Sequence, residues 1–233
     1  MVLLPLRYYA TGSSQELDGD VMNICQQSVS RIIAQSKQIK DFVKFPSNEN
    51  EISTAKKYEI AHFSGVIGCI DCTHIKIRSP RGLSSEVYKN RKGFFSINVQ
   101  VVARSAIKQR FDYGMVSSVL LTPFLPPNSN PLENYNRSHI KTGNTVERCF
   151  GVWKRIFTCL QVGMGMKVET FVAVIICACA TLHNIALSVD DIMPMTCEDI
   201  HIQNDNIAFG ENTNSNGFMV RQSLVDRFFQ YYI

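Results

Sequence analysis

Apolar residues fall into short runs rather than one long stretch, and the period of each run predicts an element. Gly65 to Ile70 is short, β-branched and free of charge, which predicts a buried strand over 65–70. Ile75-Lys76-Ile77-Arg78 alternates strictly and predicts a second strand over 74–78. In "FFSINVQVVA" (94–103), Ile97, Val99 and Val101 alternate with Ser96, Asn98 and Gln100, predicting a third strand with one dry face. Val146, Phe150, Trp153 and Phe157 step at helical spacing, so a helix is expected from about Thr142. The run 168–187 reads as a helix buried on all sides. It contains His183 and Asn184 and falls short of the ~20 clean apolar residues that a membrane span requires. Buried on such a helix, His183 reads as a hydrogen-bonded core histidine rather than a ligand.

The flanks are different. Residues 1–45 read as helices, and "QELDGDVMNICQQSVSRIIAQ" has the layout of a helix-turn-helix. Ile24 would plug the turn, and Val29, Ile32 and Ile33 would form the inner face of its second helix. Gln26, Gln27, Ser28, Ser30 and Arg31 are left on the outer edge, side chains suited to phosphates and base edges. An ordinary helical hairpin fits the same stretch, and Asp18 is a polar residue where the motif wants an inward one. From residue 188 onward the chain is rich in Asn, Asp, Ser and Thr, which suggests a mobile, acidic tail with a small apolar end. The organisation expected is therefore a helical segment 1–45, an α/β core 58–187 and a tail 188–233.

Composition adds that 45% apolar and 19% charged residues suit a packed domain rather than a disordered chain. Net charge is only +4, but its placement is uneven. Nine basic residues lie between His74 and Arg110 against the single acid Glu86, whereas seven acids follow Ile185 against Arg221 and Arg227. A basic middle predicts a polyanionic partner, with Lys89, Arg91 and Lys92 the densest cluster. The eight cysteines form no disulfide framework and read as reduced thiols. Cys69-x-x-Cys72 with His74 lacks the second ligand pair of a structural zinc site.

Asp71 is the residue this pattern does not explain. It stands at the end of the first apolar run, where it either caps a turn through its own carboxylate or holds a metal or substrate at a strand tip. Asp112 in "RFDYGM" and Glu147 in "NTVERCFGVWKRIF" come from other elements. Two Asp and one Glu so arranged can hold two Mg²⁺ ions for in-line phosphoryl displacement.

The wording around these acids carries a resemblance. "LRYYATGS", "GVIGCIDCTHIKI", "YKNRKGFFSINVQVV", "LLTPF", "YNRSHIKTGNTVERCFGVWKRIFTCL" and "ACATLHNIA" occur in the order found in PIF/Harbinger transposases and the nucleases derived from them. The chain resembles that family from about Leu6 to Ala186. The resemblance implies an RNase H-like α/β core of the DDE superfamily, preceded by a helix-turn-helix. It implies a triad of Asp71, Asp112 and Glu147 that is both catalytic and metal-binding, with Mg²⁺ the expected ion and Mn²⁺ the alternative. It implies DNA as substrate, hydrolysed with no covalent intermediate, a Myb/SANT-like DNA-binding partner and a nuclear location, the cytoplasm being the alternative. Between "NVQVVA" and "RFDYGM" the family carries a few dozen more residues where this chain has only "RSAIKQR". The core is therefore expected to be incomplete near 104–111, and a catalytically silent DNA-binding or protein-interaction remnant is the rival reading. Cys72 stands where the family has glycine.

Overall fold

The computed structural model describes residues 3–14, 17–18, 27, 63, 66–80, 85–104, 110–112, 121–165, 171–189 and 215–230. In chain order these form helix α1 (Leu3–Thr11), strand β1 (Cys69–Lys76), a 3₁₀ turn (Ser85–Tyr88), β2 (Ser96–Arg104) and β3 (Arg110–Asp112). Helices α2 (Asn130–Ile156), α3 (Cys159–Val162), α4 (Ala173–Ser188) and α5 (Ser215–Leu224) follow, α5 running on into a π-helical turn, Val225–Phe229. The strands form an antiparallel sheet in the order β1-β2-β3, beneath a helical layer: the partial α/β core that the resemblance implies.

Register assigns the two faces of the sheet. Cys69 lies opposite Ala103, Asp71 opposite Val101, Thr73 opposite Val99 and Ile75 opposite Ile97. Side chains alternate along a strand, so all eight residues share one face. Cys69, Thr73, Ile75, Val101 and Ala103 are buried there against the helices. On the other face Cys72, His74, Lys76, Asn98 and Gln100 are exposed. The alternation expected of 94–103 is thus realised.

Two strands were expected on either side of Asp71, and the structure corrects this. β1 is one continuous strand and Asp71 is its third residue. Period-two burial of Cys69, Thr73 and Ile75 carries the strand through the polar residues. Asp71 does bond its neighbour in the manner of a turn residue, Cys72 N–H donating to Oδ1 at 2.7 Å, but it does so within the strand.

α2 packs across β1 and begins at Asn130, twelve residues ahead of the expected start. Its first turns are polar, and Pro131 sits where a proline costs no hydrogen bond. Tyr135 and Thr142 are buried by tertiary neighbours that a local pattern does not reveal. Val146, Phe150, Trp153 and Phe157 are buried as expected. Each side chain so buried contributes roughly 1.5–3 kcal/mol, enough to offset the ~1 kcal/mol that Gly143 costs inside a helix. α4 lies beside β3 and buries Ile175, Ile176, Cys179, His183 and Leu187 around its circumference. No helix among the described residues is long and apolar enough to cross a membrane.

Asp18 is fully buried, facing inward as its position requires, and is neutralised by Arg7 Nε at 3.1 Å and Ser13 Oγ at 2.6 Å. Of the helix-turn-helix stretch only Leu17, Asp18 and Gln27 are among the described residues; Gln27 is helical and exposed. Within the tail, α5 and its π turn put Val225 and Phe229 into a second apolar cluster with Phe63, Phe124 and Tyr135. Arg221 fastens α5 there. Its Nη1 donates to Thr122 O, Thr122 Oγ1 and Pro123 O at 3.2, 2.8 and 3.0 Å, and the guanidinium stacks 4.0 Å over the Phe124 ring.

Candidate active site

Two bonds fix α2 against β1. Cys69 Sγ donates to Thr142 O at 3.2 Å, and Lys154 Nζ donates to His74 O at 3.0 Å. The five residues of strand between these anchors span about 17 Å, and the twelve residues of helix span about 18 Å, so the two elements run side by side in step. Asp71 lies two-fifths of the way along the strand interval, and two-fifths along the helical interval is Glu147. The sequence thereby brings these two carboxylates to the same level of the helix–sheet interface.

Their electrostatics agree with that placement. Burial raises the Asp71 carboxyl above its ordinary range, partly offset by the hydrogen bond from Cys72 N–H. Burial also raises Glu147, and the charge of Asp71 raises it further. Two carboxylates, one of which raises the other's cost of ionisation in this way, lie close enough to share a charge. Glu147 Oε2 is buried with no hydrogen-bond partner among the described residues. An unmet, buried carboxylate oxygen facing a second carboxylate is a costly arrangement that a cation relieves.

Asp112 is placed differently. It closes β3 opposite Val102, which in turn lies opposite Ile70. That register position is two strands from β1, about 9–10 Å in sheet spacing. Asp71 and Glu147 share one level of the helix–sheet interface. Among the described residues no group of three or more His, Cys, Asp or Glu side chains is arranged to hold a metal ion.

Lys89, Arg91 and Lys92 are exposed on the loop between the 3₁₀ turn and β2, where Gly93 (φ +82°) supplies the left-handed turn. Gln26, Ser28, Ser30 and Arg31 lie outside the described residues. Lys154, which sequence reasoning left between a phosphate contact and a solvated face, covers an edge carbonyl of β1 instead. Neither that bond nor Cys69 to Thr142 has any local signature, because each joins residues more than seventy positions apart.

A family model described as DDE superfamily endonuclease matches residues 112–184. The mouse (Mus musculus) protein named "Putative nuclease HARBI1" is 30% identical, the match covering 80% of this chain and 66% of the relative. The human protein of that name is 28% identical with the same coverage. The Xenopus laevis protein is 26% identical, covering 96% of this chain and 78% of its own length. The chain belongs to the Harbinger transposase-derived nuclease family. It spans about two thirds (66%) of the length of its mammalian relatives. The match to the frog member of the family is 272 residues long but takes in 96% of a 233-residue chain. Some tens of positions of that Harbinger-derived relative therefore have no residue here. No solved structure matches the chain.

Proposed function

We propose that this chain is a divalent-metal-dependent nuclease of the DDE type, acting on DNA phosphodiester bonds, with Asp71 and Glu147 as its assembled acid pair. The observation that carries this reading is the buried, partnerless Glu147 Oε2 beside the Asp71 carboxylate. The family's dependence on divalent metal ions fits this donor set, since two hard carboxylate oxygens suit Mg²⁺ or Mn²⁺. When bound, such an ion supplies charge neutralisation and an activated water for in-line displacement. The chain's own part is to present both carboxylates at one level, to desolvate them, and to hold the phosphate backbone through Lys89, Arg91 and Lys92. A Myb/SANT-like partner and a nuclear location belong to the same proposal; co-precipitation and cell fractionation test them.

The register of Asp112 favours a second reading, a chain that holds metal and DNA but does not cleave. Nicking of supercoiled plasmid in Mg²⁺ or Mn²⁺ separates the two. The nuclease reading expects nicking by the wild type that is lost in Asp71→Asn and Glu147→Gln. Metal binding with no nicking supports the second reading, and nicking that survives both substitutions overturns the assignment of the acid pair.

A further inference from the structure

The carboxylate pair belongs to the helix-facing side of the sheet. The opposite side has a site of its own, a cavity of about 380 Å³ between the 3₁₀ turn and the open face of β1 and β2. His74, Lys89, Asn90 and Asn98 line it together with Val87 and Tyr88, and no acidic residue does. The nearest described acid, Glu86, reaches Lys89 at 3.5 Å with both side chains exposed, a contact too weak to neutralise the ammonium.

A hydrogen-bond chain sets the polarity of the cavity. Asn90 Oδ1 accepts from the backbone N–H groups of Lys92 and Phe94 at 3.0 and 3.3 Å, which fixes the orientation of its amide. Its Nδ2 therefore donates to Ser96 Oγ at 3.1 Å. The Ser96 hydroxyl is buried, so its own proton needs an acceptor, and His74 Nδ1 at 2.9 Å provides one. With Nδ1 accepting from Ser96, the ring proton sits on Nε2, and the exposed edge of the ring is a donor. An N–H donor, an ammonium and apolar side chains lining one cavity are the groups that complement a nucleotide unit, the polar ones its phosphate and the apolar ones its sugar and base.

We propose that this cavity is a second DNA contact, holding one phosphodiester unit of a strand with His74 Nε2–H and Lys89 Nζ on the phosphate and Tyr88 and Val87 against the sugar and base. The proposal takes its ligand class from the nuclease reading but uses none of the carboxylate residues. The test is fluorescence anisotropy of the full chain with a fluorescein-labelled single-stranded DNA 20-mer in EDTA at pH 8, over a range of salt. Lys89→Ala should weaken binding about fivefold to tenfold and flatten the salt slope by about 0.7. His74→Ala should weaken it by a similar factor with the slope unchanged, since that contact is uncharged. Asn98→Asp places an anion in the cavity without changing its shape and should cost at least about tenfold. Lys141→Ala should bind as the wild type does, and thermal melts confirm that each variant is folded.

Cavity variants that stay within about twofold of the wild type overturn the proposal, whatever plasmid nicking says of the acid pair. Equal loss in Lys141→Ala overturns it in favour of diffuse surface attraction. No binding by the wild type, or displacement of the strand by micromolar dAMP, overturns it as well.

Discussion

Lys154→Met removes the ammonium that closes one end of the α2–β1 alignment while keeping most of the apolar stem. The lost contact is a charged donor on a strand-edge carbonyl at 3.0 Å. Such bonds contribute roughly 1.5–3 kcal/mol when well enclosed. Two effects reduce the figure here: the contact is exposed, so water can replace it, and the freed side chain regains rotamer entropy. Burial also lowers the Lys154 pKa, so folding already costs this group some hydration. The bond outweighs these terms because the half-buried side chain still leaves the ammonium some water, giving a net loss of about 1 kcal/mol. For a chain of this size that is a fall of about 2–4 °C in Tm. The only tryptophan, Trp153, is buried one residue before Lys154, so its emission reports unfolding of this helix directly. An unchanged or higher Tm, together with weakened DNA binding, would show that Lys154 contacts phosphate and does not anchor the helix.

Glu147→Gln should raise stability near pH 7–8. A carboxyl held above its ordinary pKa by burial and by Asp71 adds stability below the unfolded value and loses it as pH rises through the folded one. The gain should therefore vanish at acid pH below the ordinary Glu value of about 4.3, and Tm profiles of the two proteins across pH check this. Arg221→Ala should cost about 2–4 kcal/mol through three hydrogen bonds and a ring contact. Urea titration reads the loss, and hydrogen exchange should rise first across 215–229; protection there equal to the wild type would refute the anchoring role. Among the described cysteines Cys72 is exposed, whereas Cys69, Cys149, Cys159 and Cys179 are buried. Burial pushes the Cys69 thiol up to about 11 and Cys179 well above its ordinary value. Alkylation mapped by mass spectrometry should therefore mark Cys72 in the folded protein and the other four only in denaturant; early labelling of Cys179 would contradict the packing of α3 on α4.

What could be read from the sequence follows how local each cause is. Ile97, Val99 and Val101 announce their strand because period-two burial is written into neighbouring residues. Asp71 was misplaced at a strand end because its bond to Cys72 N–H is the local habit of a turn residue, whereas its place inside β1 comes from pairing with Val101 thirty positions away. The first turns of α2 and the packing of α5 were not legible for the same reason: Tyr135 and Phe229 are buried by partners distant in sequence. Asp18 read as a polar misfit at an inward position, because its partners Arg7 and Ser13 were not legible from the sequence. Among twenty acids the end of an apolar run drew notice to Asp71, whereas Glu147 needed the family wording; the seven residues before "RFDYGM" signalled an incomplete core but not that Asp112 would close a strand beyond β2.

If Asp71 and Glu147 form one cation site, neither can be removed without losing the ion. Isothermal titration of Mn²⁺ into the folded chain, beside Asp71→Asn and Glu147→Gln, should show measurable binding by the wild type that each substitution abolishes, with each variant still melting cooperatively. Binding that survives either substitution, or a folded wild type that takes up no Mn²⁺, would contradict it.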